Sequence, residues 1–117
     1  MDPNSERAPA ANLVAEIEEL ANFEDDWDMH GASRVHRNAI ENAASFAWKL
    51  GAFASQFEPF ADPDGSAGLE GHTAKGDVYL SFAPSGRVAY VVKTKSGMHR
   101  GYGADESVLR QLLAGLL

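Results

Sequence analysis

Apolar residues recur along this chain with two different periods, and the change between them divides it roughly in half. Leu13, Ile17, Leu20 and Phe23 fall at spacings of 4, 3 and 3, which aligns them on one stripe and predicts a helix over 11–23. Glu16, Glu18 and Glu19 lie off that stripe and read as its solvated side. The period lapses after Asp28, and His30-Gly31-Ala32 reads as a turn. Ser33 is the expected N-cap of a longer helix over 34–57. Its core stripe is Ala39, Ala43, Phe46, Leu50, Phe53 and Phe57, interrupted by Gly51 and stopped by Pro59.

Residues 58–68, with Pro59, Asp62, Pro63, Asp64 and Gly65, predict a turn-rich connector. The apolar period then becomes two. A weak strand is expected over 68–73 and a strong one over 77–83, where Val78, Leu80 and Phe82 share a face. Ala83-Pro84-Ser85-Gly86 has the proline and glycine placement of a type I turn, and residues 87–94 alternate again, so the two strands form a hairpin. Glycines at 97, 101 and 103 make 95–103 a mobile loop or a short edge strand. A last helix is expected over 105–116, with Val108, Leu109, Leu112, Leu113 and Leu116 inward and Asp105 and Glu106 at its N-terminus. Residues 1–10 read as a loose tail, and 11–117 as one domain. The order ααβββα implies an α+β fold of two layers, helices packed on one face of a small antiparallel meander.

Charge changes this picture in one place. Residues 1–33 hold nine acids against the single base Arg7, whereas 34–117 hold eight acids against nine bases, so the net charge of −7 is an N-terminal property. Such a surface attracts basic partners and opposes contact with a nucleic-acid backbone. There is no cysteine, which removes disulfides and thiolate chemistry. The polar N-terminus does not read as a signal peptide, and no apolar run approaches the roughly 20 residues that span a bilayer. The expectation is a cytoplasmic protein without membrane contact.

The acids concentrate in Glu24-Asp25-Asp26-Trp27-Asp28-Met29-His30-Gly31-Ala32. This segment resembles the D-W-D-G-Y-G-A motif of a family of small bacterial and phage-associated proteins of unassigned function. Asp64-Gly65-Ser66-Ala67-Gly68-Leu69-Glu70 is similar to the family's D-G-G-x-x-L-E-W strand, and Ser85-Gly86-Arg87-Val88-Ala89-Tyr90 to its D-G-x-x-x-Y hairpin. Met29-His30 replaces glycine-tyrosine, and Gly71 stands where the family has tryptophan. The resemblance implies a fold and a neighbourhood of mobile elements, and it carries no catalytic residues.

Two functional classes remain. In the first, the chain is a non-catalytic acidic module that neutralises a basic protein, as antitoxins, immunity proteins and anti-defence proteins do. Glu24, Asp25, Asp26 and Asp28 would steer the partner and Trp27 would anchor it. On this reading, reversing Asp25, Asp26 and Asp28 to lysine abolishes binding and spares stability. Trp27 has an alternative role, packing over the corner between the first two helices. In the second class, an enzyme or ligand binder has a pocket between the sheet and helix 2 lined by Glu70, His72 and Tyr79. The acids at 25–28 and the run Asp62-Pro63-Asp64-Gly65-Ser66 lack calcium-loop spacing, and His30, His36, His72 and His99 lack zinc-ligand spacing, so no metal or cofactor is assigned. No serine sits in a nucleophile elbow, and no catalytic residue is named. Lys93, Lys95, His99 and Arg100 form a basic patch beside Tyr102, to which the acidic end of a second copy could bind, giving a homodimer.

Overall fold

The computed structural model describes residues 7–115. The first apolar stripe folds as α1 (Arg7–Glu18), which tightens into a 3-10 turn over Glu19–Asn22. Leu13, Ile17 and Leu20 are buried as the spacing requires, while Phe23 leaves the helix and is 38% exposed. Residues 7–10, expected in the tail, are already helical, and Ala10 is buried. Residues 1–6 of that expected tail lie outside the described residues.

The second stripe forms α2 (Arg37–Leu50) and a 3-10 segment over Gly51–Gln56. Its N-cap is His36, not Ser33, because the chain stays extended through Arg34 and Val35, and Val35 is itself buried. The α-helix stops at Gly51, whose φ of 57° does not continue a right-handed helix. Phe53 is thereby turned outward, whereas Ala39, Ile40, Ala43, Phe46 and Leu50 are buried.

Five strands follow in an antiparallel meander of sequential order: β1 (Phe57–Ala61), β2 (Ala67–Thr73), β3 (Gly76–Phe82), β4 (Arg87–Thr94) and β5 (Gly97–Ala104). The three expected strands form its centre. β1 falls where the helix end and connector were expected, and as an edge strand it tolerates Pro59, which has no N–H to donate. β5 is the edge strand offered as one of two outcomes for 95–103. The turn between β3 and β4 closes with the Gly86 amide donating to the Ala83 carbonyl at 3.1 Å. The last helix is α3 (Asp105–Gly115), where Val108 and Leu112 are buried. The expected inward positions Leu113 and Leu116 lie outside the described side chains.

All three helices cover one face of the sheet, giving the two-layer α+β architecture. Leu69, Val78, Leu80, Phe82 and Val88 point into that layer and meet α1, α2 and α3 in one core. Phe46 and Phe82 join helix to sheet, with ring centroids 5.2 Å apart. Outside the core, Arg37 binds both oxygens of Glu18 at 2.7 and 3.2 Å, tying α2 to α1. Glu18, then Glu41, hold the Arg37 guanidinium still more firmly protonated than usual. Among the described residues no helix is long and apolar enough to cross a membrane.

Candidate functional site

The acidic segment is a hydrogen-bonded loop between α1 and α2, built by its own carboxylates. Asp26 and Met29 both sit at φ 64°, where residues other than glycine are uncommon. The backbone is held there from several sides. The Asp26 amide donates to the Ala32 carbonyl at 2.6 Å, and one Asp26 carboxylate oxygen accepts the Gly31 amide at 2.8 Å. Asp28 accepts the amides of His30 and Ala32 at 2.8 and 3.1 Å. Asp25 accepts the Arg34 amide at 2.9 Å and lies 3.7 Å from its guanidinium. Glu24 is exposed and has no bonded partner among the described residues.

Trp27 packs within its own loop. Its indole N–H donates to the Ser33 carbonyl at 3.1 Å, and its ring meets the edge of Phe23 with centroids 5.2 Å apart. The run Asp62-Pro63-Asp64-Gly65-Ser66 braces the loop from behind: Ser33 and His36 donate their amides to the Pro63 and Gly65 carbonyls, each at 2.9 Å. Asp25, Asp26 and Asp28 therefore serve as structural acceptors for their own loop. Reversing them cannot spare stability, because lysine has no acceptor oxygen.

Beyond Phe23 the acidic surface continues into a groove of about 750 Å³ between α1 and the free edge of β1. Leu13, Leu20, Phe23 and Phe57 supply apolar lining, and Glu16, Glu19 and Glu58 supply carboxylates. None of its lining residues is Lys, Arg or His. Helical spacing alone places Glu16 and Glu19 on one face, a signal consistent with a plain solvated surface. Glu58 joins them only because β1 runs alongside α1, which residues 57–61 do not announce.

Glu70, His72 and Tyr79 occupy the other face of the sheet. Each is out of phase with the buried positions Leu69, Val78 and Leu80, so the three point away from α2. The expected pocket between sheet and helix 2 is therefore corrected: its three residues belong to the open face. There His72 lies between two carboxylates, Nδ1 2.8 Å from Asp77 and Nε2 3.0 Å from Glu70. A neutral imidazole has one N–H and satisfies one such partner; the imidazolium satisfies both. The His72 pKa is accordingly raised, chiefly by the hydrogen bond it donates to Asp77, with Glu70 adding to it.

The rest of the open face follows from strand register. One row across the sheet reads Phe60, Gly68, Ser81, Ala89, Tyr102, and the next reads Glu58, Glu70, Tyr79, Val91, Arg100. In a third row, His72, Asp77, Lys93 and Met98 are aligned, and the Lys93 ammonium lies over the Tyr79 ring at 5.6 Å. Among the described residues no three His, Asp or Glu side chains come together as a metal-ligand set. The expected basic patch of Lys93, Lys95, His99, Arg100 and Tyr102 is divided, because His99 is out of phase with Arg100 and Tyr102 along β5. No family model, curated protein or solved structure matches this chain.

Proposed function

We propose that this chain is a non-catalytic acidic protein-binding module that captures a basic segment of a partner protein and neutralises it, as antitoxin, immunity and anti-defence proteins do. The observation that carries the reading is the groove between α1 and β1, with three glutamates, an apolar floor and no cationic lining residue. A Lys/Arg-rich segment laid there would bury its aliphatic stems against Leu13, Leu20 and Phe57 while its charges met Glu16, Glu19 and Glu58. The loop at 24–28 extends the field past the groove and would act on encounter rate, since distant charges steer association more than they hold the complex. The resemblance of that loop to a motif of mobile-element proteins agrees with such a role.

The test is capture of a basic protein from the native host by a tagged chain, compared with Glu16→Gln/Glu19→Gln/Glu58→Gln. These three carboxylates carry none of the hydrogen bonds that build the loop, so the variant keeps its fold. One basic protein retained by the wild type, lost from the variant and released as salt rises is the expected result. Equal capture by the variant rejects the groove. A folded wild type that retains no basic protein rejects the function.

A further inference from the structure

The open face of the sheet holds a second concavity, which shares only Phe60 with the groove. In the central row the small residues Gly68, Ser81 and Ala89 are flanked by Phe60 on one edge strand and Tyr102 on the other. Phe60 lies flat over β2, so closely that a Cβ at position 68 would overlap its ring. Tyr102 is 71% exposed, with the Arg87 guanidinium 4.7 Å from its ring centroid. Between the two aromatics is a cleft of about 410 Å³ floored by Ser81 and Ala89, within the ~300–1,000 Å³ range of small-ligand sites. The span from the covered β2 to β5 is three strand spacings, or roughly 14 Å, which leaves room for a flat ring system between the two walls.

Two opposite charges line this cleft, and both have capacity to spare. On the β1 side, one Asp62 carboxylate oxygen takes the Ser81 hydroxyl at 3.1 Å. Its other oxygen accepts no hydrogen bond among the described residues. On the β5 side, Arg100 makes a single weak contact, to the Met98 sulfur at 3.5 Å. It has no carboxylate partner among the described residues, although acids outnumber bases by 17 to 10. By contrast, Arg34 of the acidic loop and Arg37 of α2 are both ion-paired. An apolar slot between aromatic walls, with an acceptor at one end and an unpaired guanidinium at the other, defines its occupant's chemistry.

We propose that this cleft binds a planar aromatic ligand with N–H donors at one end and an anionic group at the other. The ring fills the space over Ala89 between Phe60 and Tyr102, where edge and face contacts with aromatics are favourable. Its N–H donors face Asp62, and its carboxylate or phosphate pairs with Arg100, a fork suited to either anion. An aromatic amino acid and a guanine nucleotide share this chemistry.

Isothermal titration with tryptophan and with guanosine monophosphate separates the two sources, and indole and inorganic phosphate report the ring and the anion alone. At least one of the first two should bind saturably, and at least about tenfold tighter than either fragment, the worth of one charge-assisted hydrogen bond. Ala89→Leu fills the cleft from the solvent face without touching the core and should abolish binding at unchanged melting temperature. Asp62→Asn and Arg100→Gln should each weaken it about tenfold or more. Failure of both two-ended ligands to saturate, or wild-type affinity in Ala89→Leu, overturns the proposal.

Discussion

Asp28 separates what a carboxylate does by charge from what it does as an acceptor. It lies among like charges, so repulsion alone predicts that removing it stabilises the protein. Its oxygen also accepts two amides, from His30 at 2.8 Å and Ala32 at 3.1 Å, which hold the turn carrying Met29 at φ 64°. Each bond has a net worth of about 0.5–1.5 kcal/mol, toward the lower part here because water reaches the loop. Asp28→Ala should therefore destabilise by about 1–2 kcal/mol, since like-charge relief at a partly exposed site returns only a few tenths. For a domain near this size that is a fall of roughly 5–10 °C in melting temperature.

Asp28→Asn removes the same charge and retains an acceptor oxygen, so it should lose less than half as much. Glu24→Ala removes a neighbouring charge that accepts nothing, and should leave the melting temperature within about 1 °C. Thermal and urea unfolding of the three variants, followed by circular dichroism, measures all of this. An Asp28→Ala protein that melts at or above wild type, or an Asp28→Asn protein that falls as far as the alanine, refutes the reasoning.

Met29→Gly should hold or raise stability by about 0.5 kcal/mol in urea unfolding, because relief of the positive φ exceeds the chain entropy that glycine adds. Phe82→Ala should cost about 3–5 kcal/mol, read as a shift in the urea midpoint, because its ring is fully buried against Phe46. His72 should make stability depend on pH: with its folded pKa raised, its contribution is complete below the unfolded value of about 6.5 and disappears as pH rises through the folded one. The difference in unfolding free energy between wild type and His72→Gln should therefore shrink from about pH 5 to 9; a difference that grows with pH contradicts the pairing with Asp77 and Glu70.

What the chain spells out and what it withholds follow from the range of each interaction. Periodicity is local, so Leu13-Ile17-Leu20, Ala39 through Leu50 and the Val78–Val92 hairpin are all legible in the order of residues alone. β1 was hidden because Pro59 reads as a breaker; its legitimacy depends on an edge position that only the β1–β2 register creates. The pocket expected between sheet and helix 2 fails for a related reason. Glu70, His72 and Tyr79 alternate correctly with Leu69, Val78 and Leu80, yet alternation does not say which phase the helices cover until the apolar set is followed across all five strands. Once that is done, His72 belongs to solvent and the row Phe60-Gly68-Ser81-Ala89-Tyr102 becomes visible, contributed by five strands that no single motif joins.

The acidic loop teaches a different limit, because its charge was legible and its geometry was not. Four acids around Trp27 read as a surface for a partner, since sequence counts carboxylates without showing where their oxygens point. Three of the four point back at amides of their own loop. The indole closes over Phe23 and donates to Ser33. Charge and scaffold are thus the same atoms at Asp25, Asp26 and Asp28, and a substitution there changes fold and field together. The carboxylates free to vary are Glu16, Glu19, Glu24 and Glu58, none of which holds the loop. The energetics of the proposed basic partner should be read from those four, and the loop's acids used only in acceptor-preserving exchanges such as Asp28→Asn.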